Sequence, residues 1–210
     1  MLGRARTAGA AEALVQTAPV AAVREPLETL TAAESDILDA IVARLIPSDE
    51  NGPGAAEARA AHYIDRALAG PLASSRDAYR AGLAASDAYA QATKGARFAQ
   101  LSAADQDAVL TEMERNIATG FTPSAAAFFN LVRSHTIQGT FCDPYYGGNA
   151  NFVGWDLVGY PGVRTAVSAD EQQRLTDGTL TANHRSAYDY EAFTKSPARR
   201  ASGGDANHGR

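Results

Sequence analysis

The sequence has 210 residues, of which 45% are hydrophobic and 20% charged, and its formal net charge is -5. This composition is typical of a globular protein, and the acidic balance argues against a duplex nucleic-acid partner, which would need a basic surface. No run of residues approaches the roughly 18 consecutive apolar positions of a membrane-spanning helix. We therefore expect that the chain does not cross a membrane by itself.

Residues 1–29 carry no apolar periodicity and include two prolines, which predicts a flexible lead ahead of the folded domain. Arg4 and Arg6 precede an alanine-rich stretch, but Glu12 interrupts any apolar core and no twin-arginine pair is present. The sequence as given therefore does not predict a signal peptide.

The first predicted helix begins at the capping box Thr31-Ala-Ala-Glu34, in which the hydroxyl and the carboxylate each accept from a backbone amide at the helix start. Apolar residues then recur at helical spacing from Ile37 to Ile46, and Pro47 ends the helix. This is the clearest amphipathic segment of the chain.

Four further helices are predicted, over residues 54–69, 76–93 and 103–119 and from Thr122-Pro123 onward. Ser75 and Ser102 are the expected N-caps of the third and fourth helices, because a hydroxyl can accept from the free amides there. The fourth helix is expected to end at Gly120 and to bury Ile117, and the fifth to bury Ile137.

A second capping box, Ser168-Ala-Asp-Glu171, predicts a short helix that ends near Leu175. From about Lys195 the composition predicts a disordered tail. No segment shows a convincing strand pattern, in which apolar and polar residues alternate.

We therefore predict a mainly α fold, a bundle of about five helices with a long ordered loop rich in aromatic residues and glycine, and with flexible termini. The expected division of the chain is a flexible lead over residues 1–29, one helical domain over 30–194 and a disordered tail over 195–210.

The segment from Gly139 to Gly162 combines turn residues with large aromatic groups. Gly147-Gly148-Asn149 and Pro161-Gly162 favour turns, since glycine and asparagine accept a positive φ and proline fixes its own φ. An aromatic loop of this length must pack on its own domain or be held for a partner. Its aromatic residues are Phe141, Tyr145, Tyr146, Phe152, Trp155 and Tyr160.

Common motifs of catalysis and cofactor binding are missing from the sequence. It has no glycine motif for a dinucleotide or a phosphate, no Cys-x-x-Cys pair and no Glu-x-x-His pair of the di-iron kind. We therefore expect no cofactor and no metal in this chain.

Four residues of the fifth helix and the loop could still carry chemistry. For His135 we expect a half-buried structural role, with a general base or a metal ligand as the alternatives. For Asp143 and Asp156 we expect turn capping, with an acid–base pair as the alternative. Cys142 is the single cysteine, and it is either a small buried hydrophobe or a bridge to another chain in an oxidising compartment.

Several motifs resemble the gluconate 2-dehydrogenase subunit 3 family. The run Gly139-Thr-Phe-Cys-Asp-Pro-Tyr-Tyr-Gly-Gly-Asn149 is similar to the family's Gly-x-Phe-x-Asp-Pro-x-Tyr-Gly-Gly-Asn core. Gly154-Trp155 and the turn at Pro161-Gly162 follow it, as they do in the family. The resemblance extends over roughly residues 30–174 and includes Leu30-Thr-Ala-Ala-Glu34, Ile46-Pro47, Pro53-Gly-Ala-Ala56 and Tyr63-Ile-Asp65.

The resemblance implies a non-catalytic, mostly helical small subunit. Such subunits pair with a large flavoprotein of the glucose–methanol–choline oxidoreductase type, which carries FAD and oxidises a sugar, a sugar acid or a polyol. A cytochrome c subunit with haem c often passes the electrons to the membrane quinone pool. The small subunit would scaffold its FAD-containing partner, mature it and help to export it.

The resemblance also implies a periplasmic location, with membrane association through the complex. Export in the family usually relies on a twin-arginine signal, which this sequence does not show. We therefore expect a truncated start, and a cytoplasmic location is the alternative. The substrate would be chosen by the large chain.

Eight loop residues are predicted to pack the loop or to contact the partner: Phe141, Cys142, Asp143, Tyr145, Tyr146, Asn149, Phe152 and Trp155. Two other functions stay open. In the first, the chain is a free small-molecule-binding module that uses the aromatic loop as its pocket. In the second, it is a stand-alone enzyme that uses His135 with Asp143 or Asp156.

Overall fold

The computed structural model describes residues 26–194, and these residues form eight α-helices joined by loops and short 3-10 turns. The described part contains no β-strand, only an isolated bridge between Asp49 and Gly52. The predicted mainly α fold is confirmed. The helices are α1 (Ala32–Leu45), α2 (Ala60–Ala69), α3 (Arg76–Lys94), α4 (Ala103–Glu114), α5 (Ala125–Phe141), α6 (Val153–Leu157), α7 (Ala169–Thr176) and α8 (Glu191–Thr194).

Side-chain caps set the starts of three of the five long helices. The Thr31 hydroxyl accepts from the Glu34 amide, and the Glu34 carboxylate accepts from the Thr31 amide at 2.8 Å, as the predicted capping box requires. Ser102 caps α4 as predicted, whereas α5 is capped by Ser124 rather than started at Pro123.

The second helix begins at Ala60, six residues later than predicted. The preceding residues instead close the turn after α1, where the Ala55 amide donates to the Ile46 carbonyl at 2.8 Å. A Cβ on Gly54 would lie 2.2 Å from the same carbonyl oxygen, so the two backbones touch. Arg59 then takes a left-handed conformation with a φ of 60°, and α2 starts after it.

Two further predictions about the helices are wrong. Ser75 makes no side-chain cap, because a 3-10 turn runs directly into α3. Helix α4 ends at Glu114 rather than near Gly120, since Asn116 adopts a φ of 58° and breaks the helical path. Ile117 therefore lies beyond the helix and is 57% exposed.

Helix α5 is the centre of the bundle, because it packs against α1, α2, α3 and α4. It buries Phe128, Phe129 and Val132 in the common core. Gly82 on α3 permits the close approach, since a Cβ there would lie 2.2 Å from the Phe128 ring. Ile137 faces outward and is 44% exposed, contrary to the prediction, because the buried stripe of α5 continues through Thr136 and Gly139 and leaves position 137 outside it.

A buried carboxylate anchors the start of the domain. Asp65 on α2 accepts from the amides of Thr29 at 3.0 Å and Leu30 at 2.8 Å through one oxygen, and from Glu28 at 2.7 Å through the other. The chain is therefore held from residue 28, two residues before the predicted start of the domain. Residues 1–25 of the predicted lead and the predicted tail over 195–210 lie outside the described residues.

Candidate functional site

The aromatic loop closes the carboxyl end of α5. The last carbonyls of a helix have no partners within the helix and need donors from elsewhere. Here the Gly139 carbonyl accepts from the Asn149 amide at 2.8 Å, and the Phe141 carbonyl accepts from the Trp155 indole at 3.0 Å. The Cys142 carbonyl, just past the helix, accepts from the Asn149 side chain at 2.8 Å. The aromatic loop therefore supplies the donors that cap the carboxyl end of α5.

Asn149 is the central residue of this closure. Its side chain is fully buried, and its oxygen accepts from the Gly154 amide at 2.7 Å while its nitrogen donates to Cys142. Its φ of 44° is left-handed, a conformation that asparagine tolerates better than most residues. Gly148 and Gly154 allow the close contact, because a Cβ on either would lie about 2 Å from a carbonyl oxygen of α5.

Trp155 holds the second half of the loop. Only 7% of its surface is exposed, and its ring packs against Phe152 and Tyr160 at centroid distances of 5.4 and 4.8 Å. Burial of an aromatic ring of this size, with its N–H bonded, is a large stabilising contribution to a loop. The loop therefore has a fixed inner side built from Asn149, Phe152 and Trp155.

The outer side of the loop is apolar and open. Tyr145 and Tyr146 are 57% and 49% exposed, and Phe141 is half-buried. Phe141 lines two adjoining depressions, a groove of about 730 Å³ towards Tyr63 and Ile137 and a smaller one of about 390 Å³ beside Val158. We call this surface the loop face; it consists of Ile137, Phe141, Tyr145, Tyr146, Val158 and Tyr160.

A segment distant in sequence lies across the loop. We call residues 183–190 the strap. The Asp143 carboxylate accepts from the Ser186 hydroxyl at 2.6 Å and from the Ala187 amide at 2.8 Å. It also caps its own turn, as predicted, by accepting from the Tyr145 amide at 2.9 Å. One carboxylate thus joins the loop to the strap.

Aromatic contacts extend this attachment. The ring of Tyr188 stacks on Tyr145 with a centroid distance of 3.6 Å, and its hydroxyl lies 3.0 Å from that of Tyr146. At the other end of the strap, His184 stacks on Phe152 and pairs with Asp156 at 2.7 Å. Asp156 therefore pairs with the strap, where turn capping was predicted.

The structure separates the residues of the proposed stand-alone enzyme. His135 is buried beside α3, where its Nδ1 lies 3.0 Å from the Tyr79 hydroxyl and its ring stacks on that tyrosine. Asp143 and Asp156 instead bind the strap. Within residues 26–194, no group of three or more His, Cys, Asp or Glu residues is placed to hold a metal ion.

Burial lowers the pKa of His135, so the folded state holds it neutral. Its contribution to stability is complete above the unfolded pKa of about 6.5 and declines as the pH falls through that value towards the lower folded pKa. We expect the urea concentration at the unfolding midpoint to decrease as the pH is lowered from about 7 to about 5. The slope of this decrease with pH should be smaller in His135→Gln. His62→Gln should keep the part of the slope that His135 causes. Equal slopes in the two variants would contradict this assignment.

Burial also raises the pKa of the Cys142 thiol to about 11. Since the thiolate is the reactive form, we expect alkylation at pH 8 to be on the order of a hundredfold slower than for a free cysteine. The rate of iodoacetamide labelling, followed by mass spectrometry, measures this. The same chain unfolded in urea is the control, and similar rates in the two states would contradict it. The bridge to another chain stays a prediction.

The fold defines a small all-α domain whose central helix ends in an aromatic capping loop. The family model described as gluconate 2-dehydrogenase subunit 3 matches residues 32–162, from α1 to the end of the loop. The chain belongs to this family, as the resemblance predicted. The family is that of a subunit of a gluconate dehydrogenase complex. No curated protein and no solved structure matches the chain.

No sequence pattern predicted the strap, which lies beyond the residues that the family model matches. The role of Asp65 as an anchor was not predicted either, although a signal was present. Asp65 lies at helical spacing among Ala61, Ile64 and Leu68, and a carboxylate on an apolar face must find buried donors.

Proposed function

We propose that this chain is the non-catalytic small subunit of an FAD-dependent dehydrogenase complex that oxidises a sugar, a sugar acid or a polyol. Membership of the subunit 3 family supports the accessory role. The partner would be a large flavoprotein of the glucose–methanol–choline type, which carries the FAD. A cytochrome c subunit with haem c would complete the complex.

The observation that carries the proposal is the contrast between the two sides of the loop. The inner side fixes the backbone through Asn149 and Trp155, whereas the outer side leaves the rings of Tyr145 and Tyr146 half exposed. Exposed aromatic rings on a rigid support are typical anchors of protein interfaces, because little conformational entropy is lost when they bind. We propose that the loop face contacts the large subunit.

In this proposal the predicted loop residues have different roles. Asn149, Phe152 and Trp155 pack the loop, whereas Phe141, Tyr145 and Tyr146 contact the partner. Asp143 fixes the turn that carries the two tyrosines. By binding the large subunit while it folds, the chain would scaffold and mature it, and would accompany it during export to a periplasmic, membrane-associated complex.

Two isoleucines provide a matched test of the loop face. Ile137 lies in it at 44% exposure, and Ile117 lies outside it at 57% exposure. When the tagged chain is co-expressed with the large flavoprotein of its host, we expect Ile137→Glu to lower the recovery of that subunit at least tenfold, because a buried interfacial charge costs more than about 2 kcal/mol. Ile117→Glu should leave the recovery unchanged.

The amount of flavin in the eluate measures this recovery through its absorbance at about 450 nm, a property of the cofactor. Circular dichroism of each lone variant shows whether it is folded. If folded Ile137→Glu recovers as much flavoprotein as the wild type, the loop face is not the contact surface. If the wild type recovers none, the subunit proposal fails.

The groove of about 730 Å³ supports a second candidate function, a free small-molecule-binding module. Its volume lies in the range of ligand sites, and Arg66 and Gln138 add polar groups to the aromatic lining. Under this alternative the lone chain would be a stable monomer whose melting temperature rises with ligand, and no flavoprotein would co-purify.

A further inference from the structure

The strap lies on the loop as a bound peptide would. Three of its contacts are with the loop, by Ser186 and Ala187 with Asp143, by Tyr188 with the two tyrosines, and by His184 with Phe152 and Asp156. Its two ends are also held at the Val163 carbonyl, which accepts from the Asn183 side chain at 2.7 Å and from the Tyr190 hydroxyl at 2.6 Å. The loop therefore binds a short segment through that segment's hydroxyl, backbone amide and aromatic ring. The segment belongs to the same chain.

The strap has little buried surface, since Ser186 is the one buried residue among residues 183–190. The helix that precedes it, α7, has no buried residue, and α8 after it has none either. His184 also has a φ of 46°, a left-handed conformation that is costly for a residue other than glycine. Segments with few buried contacts open at a lower free energy than the core does, so the strap can leave without unfolding the bundle.

The strap contacts two residues of the loop face. Tyr188 covers one side of Tyr145 and approaches the edge of Tyr146, and both tyrosines belong to the loop face. A partner that packs on these two rings must therefore compete with Tyr188. The family match ends at residue 162, so the loop lies inside it and the strap lies outside it.

We propose that the strap is a displaceable cover of the loop face, which occupies the site of Asp143, Tyr145 and Tyr146 in the lone subunit and is released when the large subunit binds. This inference rests on the proposed function. The contact segment of the large subunit would replace the chemistry of the strap, with a hydroxyl or amide donor for Asp143 and an aromatic side chain for the tyrosines. In the lone subunit the cover reduces the exposed aromatic area that favours aggregation.

Arg185 provides a direct readout of the strap, because trypsin cleaves after arginine. In the lone subunit its guanidinium donates to the Asp189 carbonyl at 3.1 Å and lies 4.1 Å from the centre of the Tyr190 ring. We expect cleavage after Arg185 to be at least fivefold faster in the complex with the large subunit than in the lone subunit. Cleavage after Arg174, on exposed α7, is the internal reference in both samples.

A variant with a weakened strap tests the competition itself. Ser186→Ala with Tyr188→Ala removes the hydroxyl bond to Asp143 and the ring stack. This double variant should be cut faster at Arg185 in the lone subunit and should bind the large subunit at least threefold more tightly. The control is Val167→Ala with Leu175→Ala, two exposed apolar residues outside the strap.

The outcomes separate the two proposals. If the wild type forms no complex with the large subunit, the proposed function fails and the displaceable cover fails with it. If the complex forms but cleavage after Arg185 is unchanged or slower, the cover is wrong and the proposed function stands. Weaker binding by the double variant would likewise overturn the cover, since it would make the strap part of the interface.

Discussion

Replacing Asn149 with alanine is expected to lower the free energy of unfolding by about 3 kcal/mol. The change removes the partners of the buried Gly154 amide and the part-buried Cys142 carbonyl, and a group left unsatisfied away from water costs about 1–3 kcal/mol. The lost side-chain bonds also weaken the attachment of the loop to α5, so co-purification of the large subunit should fall. Urea denaturation of the lone chain measures the first effect.

Asn151→Ala is the matched control for this variant. Asn151 lies two residues further on, is exposed, and also has a left-handed backbone, with a φ of 54°. The cost of placing alanine in that conformation is therefore common to both variants and cancels in the comparison. Equal losses of stability in the two variants would show that the buried bonds of Asn149 contribute little.

Asp65→Asn is expected to destabilise the chain by about 2–3 kcal/mol. The substitution keeps the shape of the side chain but replaces one accepting oxygen with an NH2 group, which opposes at least one of the amides of Glu28, Thr29 and Leu30. A hydrogen bond to a charged acceptor is worth about 1.5–3 kcal/mol. Hydrogen exchange adds a local readout, since the amides of residues 28–30 should lose their protection.

Asp77→Asn is the comparison for Asp65→Asn. Asp77 is exposed in the first turn of α3, where a carboxylate contributes less than about 1 kcal/mol through the helix dipole. The two variants change the net charge equally. If Asp65→Asn loses no more stability than Asp77→Asn, and the amides of residues 28–30 stay protected, Asp65 does not anchor the start of the domain.

Local patterns explain which parts of the bundle were predictable. The capping boxes at Thr31 and Ser168 are contained within four residues each, and both form as predicted. The start of α2 was not predictable in this way, because residues 54–59 are rich in helix-forming alanine. The hydrogen bond from the Ala55 amide to the Ile46 carbonyl overrides that propensity.

The loop shows the same limit more strongly. Its composition predicted turns and buried aromatic rings, and Asn149 was among the predicted residues. The bond between Asp143 and Ser186 spans 43 positions in the chain. No local pattern indicates such a partner, and Ser186-Ala-Tyr188 by itself resembles an ordinary polar turn. Contacts of this length arise from the tertiary fold.

The position of Trp155 has a practical consequence. It is the only tryptophan in the 210 residues, and it lies in the aromatic loop with its indole N–H bonded to the end of α5. Tryptophan emission, excited at a wavelength that tyrosine hardly absorbs, therefore originates in the loop alone. Far-ultraviolet circular dichroism reports the helices, so a difference between the two melting curves would measure how much earlier the loop opens than the bundle.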